Sequence, residues 1–189
     1  RPANMTLQEA AAGVATGGAT ALRVLRKANI KRGQQVLVYG ASGSVGSYAT
    51  QLAKSFGAEV TGVCSTANVE LVRSLGADHL IDYTQQDFTE GATYDVVIDA
   101  VAKLASSRGR KALKKKGIYL NVHSDSESIG DESPGDLAFL TDLIERGKIR
   151  TVIDRCYTLD EIVEAHRYVE QGHKKGHVVV SVAVEEVTG

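Results

Sequence analysis

Gly40-Ala-Ser-Gly43-Ser-Val-Gly46 follows the apolar run Gln35-Val-Leu-Val-Tyr39 and opens a helix-period stripe of Val45, Tyr48, Ala49, Leu52, Ala53 and Phe56. Chemistry at such a turn is done by the backbone. A doubly charged pyrophosphate needs N–H groups close by and the positive end of a helix. Gly40 permits the tight turn out of the strand, Gly43 lets the chain approach the phosphates, and Gly46 lets the helix pack closely on the strand. Glycine spacing alone is a weak signal. A short apolar strand before it and an amphipathic helix after it, stopped by Gly57, make it a dinucleotide-binding turn. On this reading the backbone N–H groups of Ser42, Gly43, Ser44 and Val45 line the pyrophosphate, and the hydroxyls of Ser42 and Ser44 add donors. A good first-turn helix residue is the other reading of Ser44.

The elements that must position this turn alternate along the chain. Strands are expected at 35–39, 58–64, 79–81, 94–101 and 117–122, with helices at 45–56, 67–75 and 103–115 between them. That alternation predicts an α/β fold, a doubly wound parallel sheet (Rossmann fold) with helices on both faces. Val-Val-Ile at 96–98 and Ile-Tyr-Leu at 118–120 have the continuous apolarity of strands buried on both sides. Thr6-Leu-Gln-Glu9 and Thr158-Leu-Asp-Glu161 are capping boxes that start helices. A second helical segment is expected at 20–28, a polar loop at 123–136, a helix at 136–146, and strands at 150–154 and 178–184.

Composition narrows the function classes. The 189 residues suffice for one sizeable core, and 43% hydrophobic with 24% charged residues is ordinary globular composition. A formal net charge of −1 supplies no basic field, so nucleic acid and anionic membranes are not expected partners. No apolar run approaches the ~20 residues of a membrane span. Cys64 and Cys156 lie in different elements, so no disulfide framework is expected, and a reducing cytoplasm is the plain reading. The cysteines and the five histidines show no paired ligand spacing, so no metal is expected.

Five stretches together resemble the medium-chain dehydrogenase/reductase superfamily, in its zinc-independent quinone-oxidoreductase-like branch. They are Val36–Gly46, Leu75-Gly-Ala-Asp-His-Leu-Ile-Asp-Tyr83, Tyr94-Asp-Val-Val-Ile-Asp99, Leu143–Arg150 with Val152-Ile-Asp154, and Glu164–His173 through Gly176. Family members begin with a barrel-like segment that shapes the substrate pocket. The resemblance implies a division into 1–30, a remnant of the domain junction; 31–149, the dinucleotide-binding domain; and 150–189, a tail that returns to the preceding domain. An excised piece is the favoured expectation, with a natural short form as the alternative.

Cofactor choice is read at the end of the second strand. A carboxylate about 20 residues past the glycine turn accepts from the ribose 2′-OH of NAD. Here that place holds Ser65 and Thr66, which donate to a 2′-phosphate and favour NADPH over NADH. The family often has a basic residue in this turn, where this chain has Ala67 and Asn68. Arg73, Lys174 or Lys175 is the alternative source of charge, and a solvated surface residue is the plain reading of each. The resemblance further implies that Tyr83 flanks the 2′-phosphate end and that Ala100 and Val101 approach the ribose. It implies that Asn121, Val122 and His123 reach the nicotinamide, and that Thr20 faces the cofactor from the junction. Ala102-Lys103 stands where the family has glycines. His123 is the titratable residue at a strand's carboxyl end, either a proton donor or simply a loop residue.

The implied function is an oxidoreductase passing hydride from NADPH to a quinone, enone or carbonyl, with this chain alone inactive. A non-catalytic NAD(P)H-binding module is the alternative. An extended short-chain dehydrogenase is the weaker rival, because no tyrosine has a lysine four residues later. A small-molecule substrate is the expected partner, and a homodimer through an edge strand is compatible with the fold.

Overall fold

The computed structural model describes residues 4–126 and 134–182. Five strands, β1 (Gln35–Tyr39), β2 (Glu59–Cys64), β3 (His79–Asp82), β4 (Tyr94–Asp99) and β5 (Leu113–Asn121), form a sheet in the order β3-β2-β1-β4-β5. Every pair is parallel. The alternation along β1 shows how the sheet is covered. Val36 and Val38 face a large core with Leu22, Tyr48, Leu52, Val72 and Leu140, whereas Leu37 faces a smaller one with Phe88, Val97 and Leu104. Helices α1 (Leu7–Ala11) and α2 (Ala19–Ala28) precede the sheet, while α3 (Ser44–Ser55), α4 (Val69–Ser74) and α5 (Ser106–Lys111) connect its strands. The expected doubly wound architecture is present.

The chain enters α2 through a widened turn at Val14–Gly18, continuous with the helix. The first capping box is formed: Thr6 Oγ1 accepts from the Glu9 N–H at 3.1 Å, and Glu9 Oε2 accepts from the Thr6 N–H at 2.8 Å. After the sheet come α6 (Val122–Ser126), α7 (Pro134–Glu145), β6 (Ile153–Thr158), α8 (Ile162–Glu170) and β7 (His177–Ser181). β6 and β7 pair in parallel as a separate two-stranded sheet. Thr158 and Glu161 form the second box, which opens a 3₁₀ turn leading into α8.

Several boundaries differ from the sequence expectations. The helix expected at 103–115 is only Ser106–Lys111, and 113–116 belongs to β5. Lysines 114–116 suit a helix by propensity, yet Lys114 pairs across the sheet with Asp95 at 2.8 Å. Gly117 also has so little room that a Cβ there would lie 2.9 Å from the Tyr94 carbonyl. β6 begins at Ile153 rather than at 150, because the residues before it are engaged with α3. Tyr48 Oη and Thr151 Oγ1 are 2.7 Å apart, and Gln51 bonds the Arg150 backbone through both ends of its amide, at 3.0 and 2.8 Å. The loop expected at 123–136 contains the helical turn α6 and the start of α7, and residues 127–133 lie outside the described residues. So does the end of the strand expected at 178–184, beyond Val182. Among the described residues no helix is long and apolar enough to cross a membrane.

Candidate functional site

The strand order reverses at β1, whose neighbours are β2 on one side and β4 on the other. Crevices at such a point, outside the carboxyl ends of the strands, are where open α/β sheets bind ligands. A cleft of about 670 Å³ lies there. Tyr39 and Gly40 line it from β1, Cys64 and Ser65 from β2, and Ala100 and Val101 from β4. The start of α3 and the loop between α8 and β7 close its sides.

The glycine turn is fixed by its own hydrogen bonds. Gly40 has φ +78°, which a side chain would strain, and its N–H and that of Ala41 both donate to the Val63 carbonyl at 3.0 Å. Gly46 lies behind the cleft: a Cβ there would stand 2.1 Å from the Gly40 carbonyl oxygen. The Gly43 N–H donates to that same oxygen at 3.0 Å. It is therefore engaged within the turn and is not the free donor expected from sequence. Ser44 and Val45 begin α3 and have no carbonyl four residues back within the helix, so their N–H groups are available.

Ser44 carries a partner that sequence did not reveal. Its Oγ lies 2.6 Å from His177 Nε2, and His177 Nδ1 lies 3.3 Å from the Val152 carbonyl. A carbonyl only accepts, so Nδ1 holds the proton and Nε2 accepts the Ser44 hydroxyl hydrogen. Ser44 thus turns lone pairs, not a donor, toward the cleft, contrary to expectation. Burial keeps the His177 imidazole below the usual histidine range; the Val152 carbonyl opposes this and Lys174 adds to it. The ring fits closely enough that a Cβ on Gly13 would come 2.3 Å from Nε2. The Gly176 N–H also donates to the Ser42 carbonyl at 2.8 Å, clipping the loop before β7 onto the glycine turn.

At the end of β2 the cleft is lined by Ser65, Ala67 and Asn68, with Tyr83 half exposed beside them. Asn68 Nδ2 donates to Ser42 Oγ at 3.1 Å and to Ser65 Oγ at 3.2 Å. Thr66 turns away from the lining and bonds Asp82, which its hydroxyl and Thr84 hold below the usual carboxylate range. Among the described residues no Asp or Glu lines the cleft, whereas Lys103, Lys174 and Lys175 do. Lys174 is not a solvated surface residue. Its Nζ donates to the Gly176 carbonyl at 2.7 Å, and burial lowers its pKa. Arg73 lies on the exposed side of α4, paired with Glu70.

Beyond β4 the buried Asp99 organises the rim. It accepts from the N–H groups of Val101 at 3.2 Å and Leu104 at 3.0 Å, and from Asn121 Nδ2 at 3.1 Å. Asn121 Oδ1 accepts from the His123 N–H at 2.8 Å, so both ends of this amide are used in holding the chain. Ala102 sits at φ +53°, the left-handed conformation that the family's glycine would adopt without strain. Of the residues named from sequence, Gly40, Ser42, Gly43, Ser44, Val45, Ser65, Tyr83, Ala100 and Val101 line the cleft. Thr20, Gly46, Thr66, Asn121, Val122 and His123 do not.

Sequence reasoning missed His177, Asn68 as a bridge, and the engaged Lys174. The buried Cys64 thiol is pushed up to about 11 by burial, with the Asp82 charge adding to it. Among the described residues no three His, Cys, Asp or Glu side chains converge as a metal ion requires.

Two family models, both described as zinc-binding dehydrogenase, match residues 44–140 and 126–180. The described residues offer zinc no donor set, so no chemistry here is assigned to that metal. The chain is 36% identical over 190 residues to the 2-methylene-furan-3-one reductase of Solanum lycopersicum, covering 95% of this chain and 48% of that protein. It is 30% identical to a chloroplast envelope quinone oxidoreductase homolog of Arabidopsis thaliana, over 95% of this chain and 64% of that one. The structure of the quinone oxidoreductase from Coxiella burnetii superposes with a TM-score of 0.80 at 31% identity, over 89% of this chain and 59% of that chain. The chain spans about half to two-thirds of the length of these relatives. It belongs to the zinc-binding dehydrogenase family of the medium-chain dehydrogenase/reductase superfamily.

Proposed function

We propose that this chain is the dinucleotide-binding part of an oxidoreductase that passes hydride from NADPH to a quinone, enone or carbonyl compound. The observation that carries the cofactor choice is the lining at the end of β2: Ser65 and Asn68, with Ser42 and lysines nearby and no carboxylate among the described residues to repel a 2′-phosphate. The N–H groups of Ser44 and Val45, with the dipole of α3, suit the pyrophosphate. Gly43 leaves the floor open, since a Cβ there would meet only the Gly40 carbonyl oxygen at 3.4 Å. Lys174 and Lys175 supply positive charge from the loop before β7. They stand in for the basic residue absent at Ala67, while Arg73 does not line the cleft.

When bound, the nicotinamide supplies the hydride, and the protein's part is binding and orientation. Val101 and Ala100 form the wall against which the ribose half would lie, held by the Asp99 network. His123 is exposed at the end of β5 and is proposed only as a proton donor completed by other parts of the protein. The substrate class rests on the reductase and quinone-oxidoreductase names of the relatives. Titrating the purified chain separately with NADPH and NADH, followed by nicotinamide fluorescence, tests the reading. Saturable binding with NADPH the tighter ligand supports it. Binding of neither contradicts it, and equal binding contradicts the cofactor preference.

A further inference from the structure

We infer that His177 is a positioning residue for the dinucleotide: by taking up a proton it turns the Ser44 hydroxyl outward, to donate to the pyrophosphate. The inference rests on the dinucleotide reading of the cleft and goes beyond it by coupling binding to a proton. His177 is buried and does not line the cleft, whereas Ser44 does, so the imidazole acts through the hydroxyl. Ser44 Oγ lies 2.6 Å from Nε2, and Nδ1 lies 3.3 Å from the Val152 carbonyl, which fixes the proton of the neutral ring on Nδ1. With the ring neutral, the Ser44 hydrogen is spent on Nε2, and an anion in the cleft meets lone pairs. A second proton needs no movement of the ring. Nδ1 still donates to Val152, and Nε2 now donates to Ser44 Oγ, so the hydroxyl hydrogen is released. Behind the pair the chain is closed, since a Cβ on Gly17 would stand 2.9 Å from Ser44 Oγ and 3.0 Å from Nε2. The released hydrogen therefore points into the cleft.

The groups around the ring set the sign of this coupling. Burial disfavours the imidazolium, and Lys174 in the loop before β7 adds to that. The Val14–Gly18 turn brings no titratable side chain. Tyr48 of α3 presents its ring edge-on, with centroids 5.9 Å apart, and its hydroxyl is bonded to Thr151. The carboxylates on the elements packed against β7 are engaged elsewhere. Glu9 of α1 is held in its capping box, and Glu164 of α8 pairs with Arg167. Asp154 of β6 accepts from the Tyr168 hydroxyl and the Lys175 N–H. Among the described residues no carboxylate pairs with His177, so an anion at the start of α3 is the counter-charge that the imidazolium lacks. Its presence raises the pKa of the ring. Between the free and bound values, binding takes up a proton from solvent, and affinity rises as pH falls through the histidine range.

Calorimetric titration of the full chain with NADP⁺ between pH 8 and 5.5, in buffers of different ionisation enthalpy, counts the protons taken up. His177→Gln removes the titrating group and keeps a neutral polar one. The 2′-phosphate contributes its own proton equally to both proteins, so the difference between them belongs to His177. Wild type is expected to take up as much as one proton more than His177→Gln. Its affinity should gain about three- to tenfold on the variant's between those pH values, about one hydrogen bond to a charged group. Equal proton counts with parallel pH profiles overturn the inference while leaving the dinucleotide site intact. Ser44→Ala provides a second route that keeps the ring. Its loss of affinity is expected to be greater at pH 5.5 than at pH 8, because the hydroxyl donates outward only when the ring is charged. A merely structural role would give the same loss at both pH values, and that result overturns the inference too. If wild type binds no NADP⁺ at any pH, the reading of the cleft itself fails, and the inference with it.

Discussion

Gly43 and Gly46 stand three residues apart in one turn, yet the structure gives them separable jobs, and alanine at each should separate stability from binding. At Gly46 the added Cβ would lie 2.1 Å from the Gly40 oxygen, 2.8 Å from its carbonyl carbon and 2.9 Å from Ala41 Cα, all backbone atoms. Nothing flexible can yield, so the helix must move off the strand. Overpacking of this kind costs up to about 3 kcal/mol, and replacing a helical glycine by alanine returns about 1 kcal/mol. Gly46→Ala should therefore destabilise by about 2 kcal/mol, a fall in Tm of about 4–8 °C for a chain of this size. At Gly43 the Cβ would make only an ordinary 3.4 Å contact, with φ at −80°. The loss of a tolerated N-cap glycine costs less than about 1 kcal/mol, but the methyl group enters the floor of the cleft. NADPH affinity should fall at least about tenfold in Gly43→Ala through lost backbone approach. Urea melts and nicotinamide-fluorescence titrations on the two variants read both quantities. If Gly46→Ala is as stable as wild type, or Gly43→Ala binds normally, the division of labour is wrong.

Three further outcomes follow from local geometry. Ala102→Gly relieves a left-handed residue and should stabilise the chain by about 0.5–1 kcal/mol in chemical denaturation, after allowing for glycine's greater freedom when unfolded. His177 is held below its unfolded pKa, so the unfolded state binds more protons, and stability should fall as pH drops from the unfolded value of about 6.5 toward the lower folded value. Urea melts of wild type and His177→Gln between pH 7.5 and 5 check this; an equal decline in both would remove His177 as the cause. Cys64 is buried with its thiol pushed up to about 11, whereas Cys156 is exposed. A thiol reagent at pH 8 should modify Cys156 alone in the native chain and both cysteines in denaturant, with mass spectrometry as the readout.

Much of the site was legible because local rules dictate it. The glycine turn, β1 and α3 follow from spacing, since a tight turn, a close phosphate approach and helix–strand contact each restrict one position. The absence of a carboxylate at Ser65 was likewise visible. What escaped depends on residues brought together by tertiary structure. Ser44 and His177 are 133 positions apart, and no periodicity in either segment announces their bond. Asn68 looked like an uncharged replacement in a turn, and its role needs Ser42 from another strand's loop. Lys174 read as a surface charge because burial of a lysine stem and its bond to Gly176 arise only when the loop folds back. The start of β5 was misread for the same reason: Lys114–Lys116 favour a helix locally, but the pairing with β4 overrides that preference.

The central claim is that the cleft at the end of β2 selects a 2′-phosphorylated dinucleotide because Ser65 replaces a carboxylate. Calorimetric titration of NADPH and NADH into wild type and Ser65→Asp tests it most directly. The account predicts tighter NADPH binding in wild type and a reversed preference in Ser65→Asp, since the new carboxylate repels the phosphate and accepts from the free ribose hydroxyl. An unchanged preference in Ser65→Asp would contradict it.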